Sequence, residues 1–375
     1  MWMSPYRVDG LELPSQCAAV VAVAVPACNE AGTIEACIRA LDIAAANAGG
    51  ATVQLVLLVN NSSDDTAARA RRYRARAMRI SVVEIALPPQ HAHAGGARRA
   101  ALDHATTLLP AHGILMTTDA DSRVDPQWIA ATLAELAAGA DAVAGAVAFD
   151  EADLTALPPL PLRALEWHLA GLQARLGTLL DPRAHDPWPN HIWAWGASLA
   201  LTVSAYRRVG GLPSVPLAED RALAAELERC DLKLRHSHAP LVLTSARRSG
   251  RAPGGLADLL DCYVIDAATP CDAALEPTAA LLRRLCWRRR LRRIAGDDGL
   301  DAAANAARRL GYDGAVTTGF GALWSAVETQ SPALARSRVM PSTLAGEVAL
   351  AERWISRIAR YSADRADNPA SAHAA

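Results

Sequence analysis

Two carboxylates, Asp119 and Asp121, stand one residue apart directly after a short apolar run. That run, Gly113–Met116, has the length and composition of a buried strand, and the ligands of α/β sheets gather where such strands end. Side chains alternate along an extended chain, so both carboxylates would project to the same side. Their hard oxygen atoms suit Mg²⁺ or Mn²⁺. The residues alone leave two interpretations open, a metal site and the start of a helix near Pro126.

Strands and helices in alternation must position this acidic pair. Apolar, Val-rich runs predict strands at Ala18–Val25, Val53–Val59, Arg79–Ile85 and Ala142–Phe149. The amphipathic segments between these runs predict helices. Strands and helices that alternate at this spacing predict an α/β fold, a doubly wound, mostly parallel sheet with helices on both faces, because parallel crossovers are right-handed.

The pattern changes in the second half of the chain. A helix flanked by prolines, Leu162–Leu180, precedes a predicted strand at Trp193–Leu201, and two short strands follow at Leu232–His236 and Pro240–Thr244. We predict four segments along the chain: an N-terminal tail at 1–16, the α/β domain at 17–255, a helical C-terminal extension at 256–361 and a disordered tail at 362–375.

Composition places the chain among ordinary globular proteins. Its 375 residues carry a formal net charge of -1, which gives no support for nucleic-acid binding. Seven cysteines without paired metal spacing favour a reduced, cytoplasmic protein. We expect neither a signal peptide nor a membrane-spanning segment, since no apolar window approaches about twenty residues. An Arg-rich segment, 283–293, suits either peripheral contact with an anionic membrane or a solvated helix face.

Polar motifs follow the predicted strands or open a predicted helix, and they occur in this order: Val23–Glu30, Asn60–Thr66, Thr118–Ser122 and Glu219–Arg221. In content and order they resemble the family 2 glycosyltransferases, which have the GT-A fold. The third motif is similar to that family's metal-binding Asp-x-Asp, and the fourth to its Glu-Asp element. The resemblance extends from Val20 to Gly255.

The resemblance implies a hexosyltransferase-like enzyme that moves a sugar from a nucleotide-diphosphate donor to a hydroxyl-bearing acceptor, with Mg²⁺ or Mn²⁺ as cofactor. Asp121 is the implied metal ligand, helped by Asp119. Asp220 is the implied general base, with Glu219 orienting it or the acceptor, although this pair is also a common helix start. One base without a protein nucleophile implies direct displacement, which inverts the anomeric carbon.

A set of donor-binding residues is also implied by the resemblance: Pro26, Asn29, Glu30 and Asn61 at the nucleoside, Gly96 and Arg98 near the base or the phosphates, and Asp119 at the ribose or a metal-bound water. Asn61 stands where the family commonly has an Asp, and the amide changes the hydrogen-bond pattern offered to the base. After the last strand, a loop with Arg247, Arg248 and Arg251 can close over the diphosphate, or remain an inert basic loop; of these three we predict Arg248 and Arg251 as donor-binding residues.

Two other functions stay open on the sequence. A sugar-nucleotide nucleotidyltransferase also uses a doubly wound sheet, but it would carry a Gly-rich, basic signature where this chain has Pro26–Glu30. A non-catalytic nucleotide-sugar-binding or scaffold protein would not need both Asp121 and Asp220. For a transferase, the acceptor class is open between a small molecule, a glycan and a lipid-linked glycan.

Overall fold

The computed structural model describes residues 19–150, 153, 155, 157, 158, 160–248, 250, 254–315 and 317–367, without the side chains of 362–367. The chain divides into two compact units. We call residues 1–158 with 193–264 the sheet unit, and 159–192 with 265–375 the helical unit. The predicted N-terminal tail, 1–16, lies outside the described residues.

The first half of the chain alternates strands and helices as predicted. Its elements are β1 (Val20–Ala27), α1 (Ile34–Ala46), β2 (Thr52–Asn60), α2 (Thr66–Arg72), β3 (Arg79–Ile85), α3 (Ala94–Thr107), β4 (Ile114–Thr117), β5 (Arg123–Val124), α4 (Trp128–Ala137) and β6 (Ala142–Phe149). The strands predicted at Arg79–Ile85 and Ala142–Phe149 are confirmed with their bounds.

The second half completes the sheet and contributes the helical unit. Its elements are α5 (Pro161–Leu180), β7 (Leu199–Thr202), α6 (Val203–Arg208), α7 (Glu219–Arg229), β8 (Leu234–Thr244), α8 (Leu256–Ile265), α9 (Thr278–Asp297), α10 (Leu300–Ala307), α11 (Phe320–Gln330) and α12 (Leu344–Asp367). The helical unit holds α5 and α9 to α12.

Within the described residues, eight strands form one sheet in the order β3-β2-β1-β4-β7-β6-β8-β5. β1 runs parallel to β2 and β4, β2 to β3, and β6 to β8. β7 is antiparallel to β4 and β6, and the short β5 is antiparallel to β8. The predicted mostly parallel α/β sheet is confirmed, and the carboxyl ends of β1, β2 and β4 meet at one edge.

Helices cover both faces of this sheet, as predicted. Alternate residues of β1 point to opposite faces, so Val23 is buried in one cluster with Ile38 of α1 and Trp128 of α4. Ala24 is buried on the other face with Leu102 of α3. Each fully buried large apolar side chain stabilises the fold by about 1.5–3 kcal/mol, so the two clusters fix the strand ends that carry the polar motifs.

Two strand predictions in the second half are wrong. The strand expected at Trp193–Leu201 begins only at Leu199, because Gly196–Ser198 form a 3-10 turn. The two strands expected at Leu232–His236 and Pro240–Thr244 form the single strand β8. An irregularity in its pairing opposite Gly145 and Ala146 accommodates Pro240, which has no N–H to donate.

Arginines of the helical unit bind carboxylates of the same unit. Arg284 is buried and donates to Glu276 at 3.0 Å. Arg288 and Arg292 of the same helix, α9, both contact Asp181. The Arg-rich segment therefore stabilises the helical unit from within. At the C-terminus α12 continues to Asp367, inside the segment predicted as a disordered tail. Among the described residues, no helix combines the length and the hydrophobicity needed to cross a membrane.

Candidate active site

The acidic pair lies in a turn after β4, at the edge where β1, β2 and β4 end. The N–H of Ser122 donates to the carbonyl of Asp119 at 3.1 Å. The Ser122 hydroxyl donates to the Thr244 hydroxyl at 3.0 Å, which ties the turn to the end of β8. The turn replaces the extended geometry expected from the sequence, and Asp119 and Asp121 bind two different arginines.

The interpretation of this pair as a helix start does not hold. α4 begins at Trp128, several residues further on. The carboxylate that accepts a backbone N–H there is Asp125, from Gln127 at 2.8 Å. Asp119 and Asp121 therefore do not serve as the cap of α4.

Arg98, in the first turns of α3, is the arginine that binds Asp119. Its Nη2 donates to Asp119 at 2.7 Å and its Nε donates to Glu219 at 3.0 Å. Its Nη1 donates to the Thr117 hydroxyl at 3.0 Å and to the Gly196 carbonyl at 2.9 Å. Burial lowers the pKa of Arg98, but the two carboxylates outweigh burial and raise it, so the guanidinium stays charged. The N–H groups of Arg98, which were predicted to contact the base or the phosphates, therefore donate to protein atoms.

Asp220, the predicted base, lies at the start of α7. One carboxylate oxygen accepts the N–H of Gly196 at 2.8 Å and the other accepts the N–H of Arg221 at 2.7 Å. Burial and then the neighbouring Glu219 raise the pKa of Asp220, while the Gly196 hydrogen bond opposes the rise. Ala218, just before the helix, has a left-handed backbone with φ 58°. This conformation costs a non-glycine residue about 1–2 kcal/mol, so the packing around α7 must hold it.

Gly196 joins Arg98 to Asp220, because its carbonyl accepts from the arginine and its N–H donates to the aspartate. A Cβ atom at this position would lie 2.6 Å from the Arg98 guanidinium carbon, so the close approach requires glycine. Just before it, the rings of Trp193 and Trp195 stack with centroids 4.9 Å apart. Trp193 is buried and Trp195 is half-buried.

Hydrogen bonds join the turns after β1 and β2 to each other and to the segment that follows β3. Asn29 and Asn61 both have positive φ, 55° and 49°, a conformation that Asn tolerates better than most residues. The Asn29 amide oxygen accepts the N–H of Ser63 at 2.8 Å. The Asn61 amide donates to the Leu87 carbonyl at 3.0 Å and accepts the Leu87 N–H at 3.1 Å. Pro26 lies at the end of β1, opposite β2.

Arg247, which follows β8, binds carboxylates of two different turns at this edge. It donates to the two oxygens of Glu30 at 2.8 and 3.2 Å, and to Asp121 at 2.9 Å. Burial and then Asp119 raise the pKa of Asp121 to about 6, while Arg247 opposes this rise. A single guanidinium therefore bridges the turn after β1 and the acidic turn after β4.

Three other residues that were predicted to bind the sugar-nucleotide donor are Gly96, Arg248 and Arg251. Gly96 lies within α3, and its N–H donates to the His93 ring at 3.1 Å, so a protein atom takes the place of the expected phosphate. Arg248 is exposed and its nearest carboxylate is Asp261, at 3.6 Å. Arg251 lies outside the described residues.

The residues at the edge can hold a divalent cation that arrives with a diphosphate. Among the described residues, no three His, Cys, Asp or Glu side chains form a group that could hold a metal alone. Mg²⁺ is commonly bound by one or two carboxylates together with substrate phosphates and waters. Asp121, with Asp119 beside it, is such a partial donor set, so the chemistry of the site fits the predicted cofactor.

Sequence reasoning missed two contributors to this site. Gly196 was part of a predicted strand, although a glycine between an aromatic pair and an apolar run is a signal for close backbone approach. Arg247 was considered with the basic loop but was not among the chosen residues, Arg248 and Arg251. Its position nearest the end of the last strand was the available signal.

Residues 22–188 match the sequence model of Glycosyl transferase family 2. The matched segment includes the turns after β1 and β2, Arg98 and the acidic pair, and it ends before Glu219 and Asp220. No curated protein matches the chain.

Solved structures with a related chain path are more distant. One is the mannosyltransferase PcManGT from Pyrobaculum calidifontis in complex with GDP-Man and Mn²⁺, at 15% identity and TM-score 0.47, covering 97% of this chain and 85% of that chain. Another is S. aureus TarS 1-349 in complex with UDP-GlcNAc, at 12% identity and TM-score 0.44, covering 92% of each chain. Both TM-scores lie below 0.5, so the similarity to glycosyltransferases depends on the sequence match over residues 22–188.

Proposed function

We propose that the chain, whose residues 22–188 match the Glycosyl transferase family 2 model, is a glycosyltransferase that inverts the anomeric carbon of a nucleotide-diphosphate sugar as it transfers the sugar to a hydroxyl group. The observation that carries this proposal is the placement of Asp121 and Asp220. One carboxylate lies at the donor edge of the sheet and the other at the start of α7, and Arg98 connects their neighbours Asp119 and Glu219.

Asp220 is the proposed general base. It takes the proton of the acceptor hydroxyl while that oxygen bonds to the anomeric carbon and the bond to the nucleoside diphosphate breaks. A carboxylate has about four acceptor positions, and the N–H groups of Gly196 and Arg221 use two of them, which leaves room for the acceptor proton. The raised pKa of Asp220 favours proton transfer at neutral pH.

The turns after β1 and β2 are the proposed nucleoside site, formed by Pro26, Asn29, Glu30 and Asn61. Asp121, with Asp119, would hold a Mg²⁺ or Mn²⁺ ion, whose charge stabilises a departing diphosphate when the ion is bound. Arg247 can exchange its carboxylate partners for phosphate oxygens, because a guanidinium fork matches both groups. A hexose as the transferred sugar and a cytoplasmic location belong to the same proposal.

A thermal-shift screen tests the proposal. The full chain is heated with UDP, GDP, ADP or dTDP, with and without Mn²⁺, and the matching nucleoside monophosphates serve as controls that lack the diphosphate. A nucleotide present at about 100 times its Kd stabilises the native state by about 2.7 kcal/mol. An unfolding entropy of about 2.1 cal/mol/K per residue gives a chain of 375 residues roughly 1.3 °C per kcal/mol, so the melting temperature should rise by about 3–4 °C.

Turnover then identifies the donor. Sugar conjugates of the stabilising nucleotide, with GDP-Man and UDP-GlcNAc among the panel, are incubated with the protein, and release of nucleoside diphosphate is followed by mass spectrometry. If no nucleoside diphosphate stabilises the protein and no sugar nucleotide is consumed, the proposed function is wrong.

A further inference from the structure

Arg98 is the most completely engaged arginine around the acidic edge of the sheet unit. Only 6% of its side chain is exposed. Four of its five N–H groups bind protein acceptors: two carboxylates, one hydroxyl and one carbonyl. A buried guanidinium with this many fixed partners contacts substrate poorly but orients its neighbours well.

The partners of Arg98 come from three separate parts of the chain. Asp119 and Thr117 belong to the end of β4, Gly196 precedes β7, and Glu219 begins α7. The guanidinium is planar and rigid, so the positions of these groups are fixed relative to one another. Gly196 also fixes the position of Asp220, because its N–H donates to the Asp220 carboxylate at 2.8 Å.

We propose that Arg98 is a positioning residue for sugar transfer, holding Asp119 of the donor side and the Glu219–Asp220 pair of the base side in one prearranged unit. This inference rests on the proposed function. It assigns Arg98 to neither phosphate nor base binding, in contrast to the role expected from the sequence. Misplacing a reacting group by about 1 Å can cost about 100-fold in rate, which is the scale of effect that this role implies.

The charge of Arg98 adds a second, electrostatic contribution. The groups that face Asp220 are the carboxylate of Glu219, the guanidinium of Arg98 and the N–H groups of Gly196 and Arg221. Glu219 raises the pKa of Asp220, and Arg98 lowers it. A neutral side chain at position 98 leaves Glu219 uncompensated, so Asp220 must then hold its proton to a higher pH.

The experiment compares Arg98→Met with Arg98→Lys and with a matched control, Arg99→Met. Arg99 is the next residue of α3 and also binds a backbone carbonyl, that of Leu212 at 2.7 Å, but it contacts none of the site carboxylates. Three quantities are measured: kcat with the donor that the wild type consumes, the pH dependence of kcat/KM with the same donor, and the titration of Asp220 by ¹³C NMR of aspartate-labelled protein. The Asp220→Asn spectrum assigns the NMR signal.

We expect Arg98→Met to lower kcat about 10- to 100-fold relative to Arg99→Met and to move the acidic limb of the pH profile and the NMR titration of Asp220 upward. Arg98→Lys keeps the charge but loses the fork, so its rate should fall while its titration stays near that of the wild type. Equal rates and titrations in Arg98→Met and Arg99→Met would overturn the proposal.

A double variant covers the case in which Arg98→Met fails to fold. Arg98→Met combined with Glu219→Gln removes the more buried of the two carboxylates that Arg98 compensates, and it is compared with Glu219→Gln alone. A positioning role predicts a further loss of kcat in the double variant at a similar melting temperature. Equal kcat values would make Arg98 structural only. The NMR titration reports on Arg98 even if no sugar nucleotide is consumed, so failure of the proposed function is distinguishable from failure of this one.

Discussion

The proposed base side of the site, around Glu219 and Asp220, and the proposed donor side, around Glu30 and Asp121, hold their carboxylates in different ways. On the base side, Arg98 is buried, with 6% of its side chain exposed, and binds Glu219 and Asp119 from a helix. On the donor side, Arg247 has 27% of its side chain exposed and bridges Glu30 and Asp121 from the irregular segment after β8. A buried guanidinium is fixed by packing, whereas a partly exposed guanidinium exchanges its partners at a lower cost.

Under the proposed function, this difference separates two tasks of a transferase. The base has to be placed before the acceptor arrives, because proton transfer requires hydrogen-bond geometry. The donor side has to admit and release a charged diphosphate, so a guanidinium that can leave Asp121 and Glu30 for phosphate oxygens suits it. Substitutions on the two sides should therefore differ in what they change: rate on the base side, and binding on the donor side.

The largest effect is expected for Asp220→Asn. Loss of a general base commonly costs about 10²–10⁴-fold in rate. Nucleoside diphosphate binding should persist, because Asp220 contacts neither Asp121 nor Glu30. Both oxygens of Asp220 accept backbone N–H groups, so the new amide meets one donor with a donor, and stability should fall by about 1–3 kcal/mol. Single-turnover kinetics and nucleotide titration measure the two parts.

Glu226→Gln is the control for Asp220→Asn, since Glu226 lies in the same helix and pairs with Arg229 near its far end. It should leave rate and binding unchanged. If Asp220→Asn transferred sugar at the wild-type rate, Asp220 would not be the general base.

An intermediate effect is expected for Asp121→Asn on the donor side. The variant loses the charge that attracts both a divalent cation and Arg247. Nucleoside diphosphate affinity in Mn²⁺ should fall about 10- to 100-fold, or about 1.4–2.8 kcal/mol, by isothermal titration calorimetry. Affinity without Mn²⁺ should change little.

Asp125→Asn is the matched control for Asp121→Asn. It lies in the same connection, and its amide oxygen can still accept the Gln127 N–H. If Asp121→Asn and Asp125→Asn bind nucleotide alike in Mn²⁺, Asp121 is not the metal ligand and the donor side works through its arginine alone.

The sequence was sufficient for the parts of the fold that depend on local pattern. β3 and β6 have the predicted bounds because apolar runs and turn residues are adjacent in the chain. β7 and β8 were misjudged, because a 3-10 turn at Gly196 and a pairing irregularity opposite Gly145 depend on neighbouring strands. The hydrophobic pattern of one segment carries no information on its contacts with neighbouring strands.

The site was predictable as a set of acidic positions but not as a set of ion pairs. Asp119 and Asp121 stood out by type and spacing and Asp220 by the family resemblance, whereas the two carboxylate partners of Arg98 lie 21 and 121 residues away along the chain. A basic residue in a Gly-containing loop is typical of phosphate binding, and the sequence gives no measure of its burial. Whether an arginine binds a ligand or other protein groups therefore depends on its neighbours in three dimensions.

The smallest effect is expected for Arg247→Gln, and it tests whether the donor-side bridge is exchangeable. Without nucleotide, Arg247 competes with a divalent cation for Asp121, so its removal should raise Mn²⁺ affinity. A partly exposed ion pair contributes about 0.2–1 kcal/mol, which corresponds to about 1.4- to 5-fold. Electron paramagnetic resonance of free Mn²⁺ measures the change. Arg248→Gln is the control, because Arg248 faces Asp261 and should leave Mn²⁺ affinity unaltered. Unchanged affinity in both variants would mean that Arg247 does not compete with the cation for Asp121, and the proposed exchange of its carboxylate partners would be wrong.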